Sequence, residues 1–495
     1  MRSISYLKKN RIPSILFLFV FVILLMQCKQ KPTILSEEEA IDKIEDGIPV
    51  NVMLTAYSTT LLASDTTLLR VALTDEKARE ISTANDSIRL YIWGDGFILD
   101  EQSNPLKLQK DSLGDSFVSA YLLDGLLHLQ FVAPPKEDIT KVEARAMNIA
   151  QRAQKVWPGS HEIHILPADF EDLQPSTSQL KPTEKEIDLM LGADISFLPE
   201  LEDKGLSFHL NGDTLDALKM LHQHGFNYIR LRIFVNPENE KGYAPNKDYC
   251  GLEKTLELAK RVHEEGFKIL LDFHYSDTWA DPQKQFKPLA WEGLTFLELA
   301  DTLESYTFDV MKAFEEQGTL PEMVQVGNEI NHGMIWPDGH ISQPHQLAEL
   351  LKAGIRGVKK SDKNIPIMLH VALGGQNKEA IRWFDNMLAR DVDFDIIGLS
   401  YYPRWHGTLA DLKFNMEDLI NRYQKPINVV EYNWYKNAVP AMVFDLPNNM
   451  GKGSCVWEPL SWQSDMVDWR GKVNPDVMKI YEELSEKYLE KTSAH

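Results

Sequence analysis

Cysteine is scarce in this chain, with three in 495 residues. Cys28 closes an N-terminal apolar run, while Cys250 and Cys455 fall in a loop and in an apolar strand pattern. No Cys/His spacing suits a zinc site, and two distant thiols make no disulfide framework. Both are expected to be free and packed. Positive charge is short as well. Against 73 Asp and Glu stand 52 Lys and Arg, a formal net charge of -21. Such a surface repels nucleic acid and anionic headgroups, and it does not help capture acidic polymers such as polygalacturonate. A neutral partner is expected, and no nucleic acid. Long apolar runs are missing with one exception, residues 12–26. At about fifteen residues it is shorter than the roughly 20 a spanning helix needs. Arg2, Lys8, Lys9 and Arg11 precede it, which gives an export signal. Cys28 directly after it resembles a bacterial lipoprotein signal, in which that cysteine is lipidated. The expectation is an extracytoplasmic outer-membrane lipoprotein with residues 1–28 as the signal segment, held by a lipid anchor and acting as a monomer.

What is present is enough apolar sequence, 43% of residues, for more than one domain at this length. Over residues 33–170 short alternating runs such as "TTLLRVALT", "SIRLYIW" and "GLLHLQFVA" are broken by turn residues. This pattern predicts a small all-β, immunoglobulin-like sandwich. No titratable cluster stands out in it, so a spacer or a glycan-binding role is the expectation; if it is a spacer holding the rest away from a membrane, deletion up to about Pro182 should leave the remainder active. Residues 171–186 are polar with Pro175 and Pro182 and read as a linker. From 187 to 495 apolar runs alternate with helical patterns. The strand candidates are "LMLGADISFL", "YIRLRIFV", "KILLDFHYS", "EMVQVGNEI", "IPIMLHVAL", "FDIIGLSYY", "INVVEYNW" and "GSCVWEPLSW". Eight such units predict a (β/α)8 TIM barrel.

In that fold chemistry gathers at the C-terminal strand ends. Glu329 closes the fourth candidate strand and Glu431 the seventh, and strands four and seven face each other across a barrel. Two carboxylates about 5 Å apart suit a retaining glycosidase. At an effective dielectric near 20 they would repel by roughly 3 kcal/mol, about two pKa units, so one should stay protonated near neutral pH. Arg230 and Arg232 share one face of the second strand and need anionic partners if buried. Glu431 and Asp194 are the candidates. After the third strand come Asp272, His274, Asp277 and Trp279. His274 could orient a catalytic group or a sugar hydroxyl, and the chemistry calls for no metal. Trp279, Trp336, Tyr401, Tyr402, Trp405, Trp457 and Trp462 fall at or after strand ends, where aromatic faces can stack on pyranose rings. His406 stands beside them.

The stretches "GADISFLPELEDKG", "YIRLRIFVNP", "LLDFHYSDTWADP", "QVGNEINHGMIWP", "LLKAGIRGVK", "IIGLSYYPRWHGTL" and "WEP" resemble glycoside hydrolase family 53, the arabinogalactan endo-β-1,4-galactanases of clan A. The resemblance covers roughly three-fifths of the chain. It implies retaining endo-cleavage of β-1,4-galactan, the neutral side chain of pectin, with Glu329 as acid/base, Glu431 as nucleophile, Asn328 on the sugar 2-hydroxyl, and no cofactor. After Glu431 this sequence has "YNWYKN" and only about 25 residues before Trp457, where some relatives have a longer, calcium-binding connection. No calcium is therefore expected. The alternatives are another clan A endo-glycanase, a mannanase or glucanase, and a non-catalytic glycan-binding lipoprotein.

Overall fold

The computed structural model describes residues 43–45, 47–147, 155–461 and 464–490. The signal segment, Cys28 and Trp462 lie outside them. Eight parallel strands close into a barrel: β1 (Met190–Asp194), β2 (Tyr228–Ile233), β3 (Lys268–Phe273), β4 (Met323–Val326), β5 (Ile367–Val371), β6 (Ile396–Tyr401), β7 (Ile427–Tyr432) and β8 (Gly451–Trp457). They are the eight runs read from the sequence. β8 pairs with β1 to complete the ring. The strands are almost wholly buried because helices cover one face and side chains fill the other.

The helices show why the pattern is legible. Phe296–Gln317 opens on a reciprocal cap between Thr295 and Glu298 and stops at Gly318, whose φ of 81° is left-handed. Its buried Leu299, Leu303, Val310, Met311 and Phe314 recur at helical spacing and face the strands. Inside the barrel, Met190, Tyr228, Leu270, Met323, Met368, Ile396, Val430 and Cys455 form an apolar plug. Strand alternation then places Arg230 one layer above Tyr228 and Arg232 above that. The plug raises the polar layer to the C-terminal end of the strands. Cys250 and Cys455 are buried free thiols.

The N-terminal region is all β. One six-stranded sheet is built on Thr66–Thr74, flanked by Asn51–Ala56 and Leu126–Val132. The other runs Thr60–Leu62, Gly159–Leu166, Asp138–Ala146, Ser87–Trp93, Ser116–Tyr121, Gln109–Lys110. Leu54, Leu69 and Val71 from the first share a core with Ile88, Leu90, Val142 and Ile163 from the second. The two sheets therefore form a sandwich.

Two features go beyond the sequence reading. Residues 171–186, the expected linker, are tied to the barrel along their length. The Leu173 amide donates to Asn386, Gln179 Nε2 to Asp391 at 2.8 Å, and Lys185 Nζ to Asp395 at 2.9 Å. Polar composition marks a segment with one face in water and does not say whether the other face is tied down. Nor is the sandwich detached from the barrel. It belongs to one compact unit with the barrel and lies on the loops that follow β4, β5 and β6. Thr59 binds His332 and Glu379, His164 binds His340, and Arg404 donates to the Pro158 carbonyl. No helix among the described residues is long and apolar enough to cross a membrane.

Candidate active site

The floor of the site is a buried ion network centred on Arg230. Its Nη1 contacts Asp194 at 3.0 Å and Glu431 at 3.2 Å, and its Nη2 contacts Asp272 at 2.9 Å. Both earlier candidates for its partner are thus engaged at once. A guanidinium in the barrel interior has to be matched in this way, because an uncompensated buried charge costs several kcal/mol. Nη2 also donates to Asn328 Oδ1 at 2.8 Å, which aims the other end of that amide, Nδ2, at the Ala280 carbonyl. Arg232 does not reach Glu431. It pairs with Glu458 at 2.7 Å and with Asp194 at 3.3 Å, and lies over the rings of both Phe197 and Trp279.

Glu329 follows β4 through a strained turn. Gly327 has φ 85°, and a β-carbon there would meet Ile330 at 2.7 Å, so the chain needs glycine. Glu329 itself sits at φ 48°, a left-handed conformation that costs a non-glycine residue roughly 1–2 kcal/mol and recurs at functional sites. Its Oε1 accepts from Ser400 Oγ at 2.6 Å, and Ser400 in turn lies 2.8 Å from His370 Nε2. Glu431, on β7, accepts from Tyr402 OH at 2.8 Å. One oxygen of Glu329 lies within 4.8 Å of one oxygen of Glu431.

The electrostatics separate the two. Burial first, and then the charge of Glu431, push the Glu329 carboxyl well above its ordinary range; the Ser400 hydrogen bond is too weak to reverse this. Burial also raises Glu431, but by less, because Arg230 and the Tyr402 hydroxyl offset part of it. Of the two, Glu329 is the one whose surroundings more strongly favour the protonated form. Glu329, His370 and Glu431 together have the donor types of a metal site. Both His370 nitrogens, however, already face Asn328 and Ser400, and the Arg230 guanidinium lies against Glu431. A cation at that point would meet an existing positive charge.

Around the pair is a cavity of about 570 Å³. Of the residues singled out from sequence, Arg230, Arg232, His274, Trp279, Asn328, Glu329, Tyr402, Trp405, His406, Glu431 and Trp457 line it. Asp272 lies beneath, holding Arg230, His274 and Gln325. Three others stand apart from the cavity. Asp277 accepts from the amides of Asn236 and Leu289 and ties loops together. Tyr401 is wholly buried, donating to the Gly407 carbonyl. Trp336 donates to the His332 carbonyl and packs beside His164 and His340 under the sandwich. Closeness to a strand end does not fix which way a side chain turns.

Sequence reasoning did not single out Gln325, His370, Ser400 or Glu458, nor Asn433 and Trp434 in the cavity wall. The first four sit within or just after strands, and their only signal was a polar residue interrupting an apolar run. The sandwich also reaches the cavity, through Thr59, Ser160, His161 and Glu162.

A closed (β/α)8 barrel with two neighbouring, unequally perturbed glutamates at facing strand ends, walled by tryptophans, defines a glycoside hydrolase. Residues 190–439 match the model of glycosyl hydrolase family 53, and the chain belongs to that family. It is 41% identical over 327 residues to an uncharacterized protein of the bgaB 5' region of Niallia circulans, covering 58% of this chain and 87% of that one. It is 34% identical over 337 residues to arabinogalactan endo-beta-1,4-galactanase A of Emericella nidulans, covering 59% and 94%. Among solved structures the Ignisphaera aggregans GH53 catalytic domain superposes with a TM-score of 0.56 at 31% identity, covering 61% of this chain and 98% of that one. The sandwich precedes the matched residues.

Proposed function

We propose that the protein hydrolyses internal β-1,4-galactosidic bonds of galactan, including the galactan and arabinogalactan side chains of pectin, with retention of configuration. The observation that carries this reading is the Glu329–Glu431 pair, close enough for double displacement. Glu431, kept anionic by Arg230 and Tyr402, attacks the anomeric carbon from one face. Glu329 gives its proton to the glycosidic oxygen, and the C–O bond breaks to leave a galactosyl ester on Glu431. Glu329, now ionised, takes a proton from water as the water attacks the same carbon and frees Glu431. Two inversions give net retention. Asn328, fixed by Arg230, is placed to bind the sugar 2-hydroxyl, and the Trp279–Trp457 wall to stack on the glycone. The galactanase relatives support galactose as the sugar.

Linear β-1,4-galactan with mannan and glucan controls tests this, with products followed by NMR. Galactan alone should yield oligosaccharides, first as the β-anomer, and Glu431→Gln should yield none. Release from mannan or glucan but not galactan would change the substrate, and binding without release would make the cleft a receptor. We also propose export and lipidation at Cys28. Cys28→Ser should abolish labelling by radioactive palmitate and release the protein from the membrane fraction.

A further inference from the structure

We propose that the β-sandwich builds and narrows the leaving-group end of the cleft, so that on free galactan chains the enzyme measures its cut from the reducing end. The inference rests on the hydrolase reading above. The glycosidic oxygen takes its proton from Glu329, so the sugar beyond the scissile bond lies on the Glu329 side. Asn331 and His332 directly follow Glu329 and line the cavity, with Thr59 of the sandwich bonded to His332; Gln376, Trp405 and, from the sandwich, Ser160, His161 and Glu162 line it as well. The aromatic and arginine wall of Phe197, Trp279, Arg232 and Trp457 is built from the ends of β1, β2 and β8 and from the loop after β3.

The sandwich wall is held firmly. Thr59 donates its amide to Glu379 and its hydroxyl lies 2.9 Å from His332 Nε2, all buried. His164 stacks on His332 at 3.8 Å between ring centres and lies 2.9 Å from His340. His161 donates Nε2–H to the Leu54 carbonyl and is buried. These contacts fix the strand Gly159–Leu166 across the loops after β4 and β6. Among the residues it presents, Glu162 is distinctive. It is half-buried, its carboxyl has no hydrogen-bond partner among the described residues, and burial raises its pKa, with Asp281 adding to the rise and the cross-strand Lys141 opposing it. A carboxylate in that state next to a glycan cleft is an acceptor waiting for hydroxyl donors. With Asp281 beside it, it also excludes an acidic sugar. The ligand that fits is the neutral reducing end of a short oligosaccharide segment.

The test uses the full-length protein and β-1,4-galactan oligosaccharides of increasing length, carrying either deuterium or a bulky aromatic amide at the reducing end. The deuterium should appear in one short fragment whose length does not change with that of the parent. The bulky tag should lower kcat/KM by about tenfold, in the range expected for losing one or two polar contacts, while the same tag at the non-reducing end should leave it unchanged. Glu162→Ala should raise KM and spread the labelled fragment over several lengths; Glu162→Gln, which keeps an acceptor, should retain the single length. Labelled fragments that lengthen with the parent, or indifference to the tag, would overturn the inference while leaving galactan hydrolysis intact. If galactan is not cut, the substrate reading fails on its own, and the same counting applies to whichever glycan is cut. If none is cut, calorimetric binding of the tagged oligosaccharides decides it: weaker binding with the tag at the reducing end only supports the wall, and equal binding refutes it.

Discussion

Ser400 Oγ donates to Glu329 Oε1 across 2.6 Å, and among the described residues it is the one hydrogen bond that favours the ionised form of a carboxyl whose pKa its surroundings otherwise push up. Ser400→Ala removes that preference and raises the Glu329 pKa further. Because activity falls as pH rises through the pKa of the acid, the alkaline limb of the kcat/KM profile should move up by about one pH unit.

Tyr402 has the mirror role at Glu431. Without its hydroxyl the nucleophile's pKa rises, and activity is lost when pH falls through that value. The acidic limb for Tyr402→Phe should therefore shift upward by about one unit, and kcat/KM near neutrality should drop roughly tenfold. A profile that shifts on the alkaline side instead would reassign the two glutamates.

The two roles separate chemically in alanine variants supplied with azide. Glu329→Ala should lose about 10²–10⁴ on polymeric substrate, much less on an aryl galactoside with a good leaving group, and should form the β-galactosyl azide. Glu431→Ala should form the α-azide, since the anion enters where the carboxylate stood. NMR of the azide product reads both.

At the sandwich contact, burial holds His332 down to a pKa of about 3 and His340 and His161 to about 4. A histidine whose folded pKa is depressed stabilises the fold fully above its unfolded value near 6.5 and progressively less as pH falls toward the folded value. Glu379, whose pKa burial raises, works in the opposite sense, so the informative quantity is a difference between variants. His340→Asn should gain stability relative to the wild type between pH 6.5 and 4, by up to about 1.4 kcal/mol per pH unit. Melting temperatures of the two proteins across that range give the answer.

The barrel was readable because parallel strands buried on both faces leave continuous apolar runs, and each helix carries its own spacing and stop. Glu329 and Glu431 were readable because a carboxylate at the end of such a run has no packing reason to be there. His370 and Ser400 were not. They interrupt "IMLHV" and "IIGLSY" in the way any satisfied core polar residue does, and only the fold brings them to within 2.8 Å of each other. Trp336 and Tyr401 misled for the converse reason, since a ring near a strand end can turn into the core as readily as into the cleft. The docking of the sandwich left no local trace at all: Thr59 and Glu379 are 320 residues apart in the chain.

The Thr59–Glu379 contact also bears on inheritance. Glu379 is a buried acid on the barrel helix Asn377–Leu388, and its hydrogen bonds come from the sandwich, by way of the Thr59 amide and hydroxyl. A recombination event that carried the barrel into a new gene without its leading module would take those donors away and open the carboxylate to water. Position 379 then has no remaining reason to be an acid, and descendants that shed the module should be free to vary there.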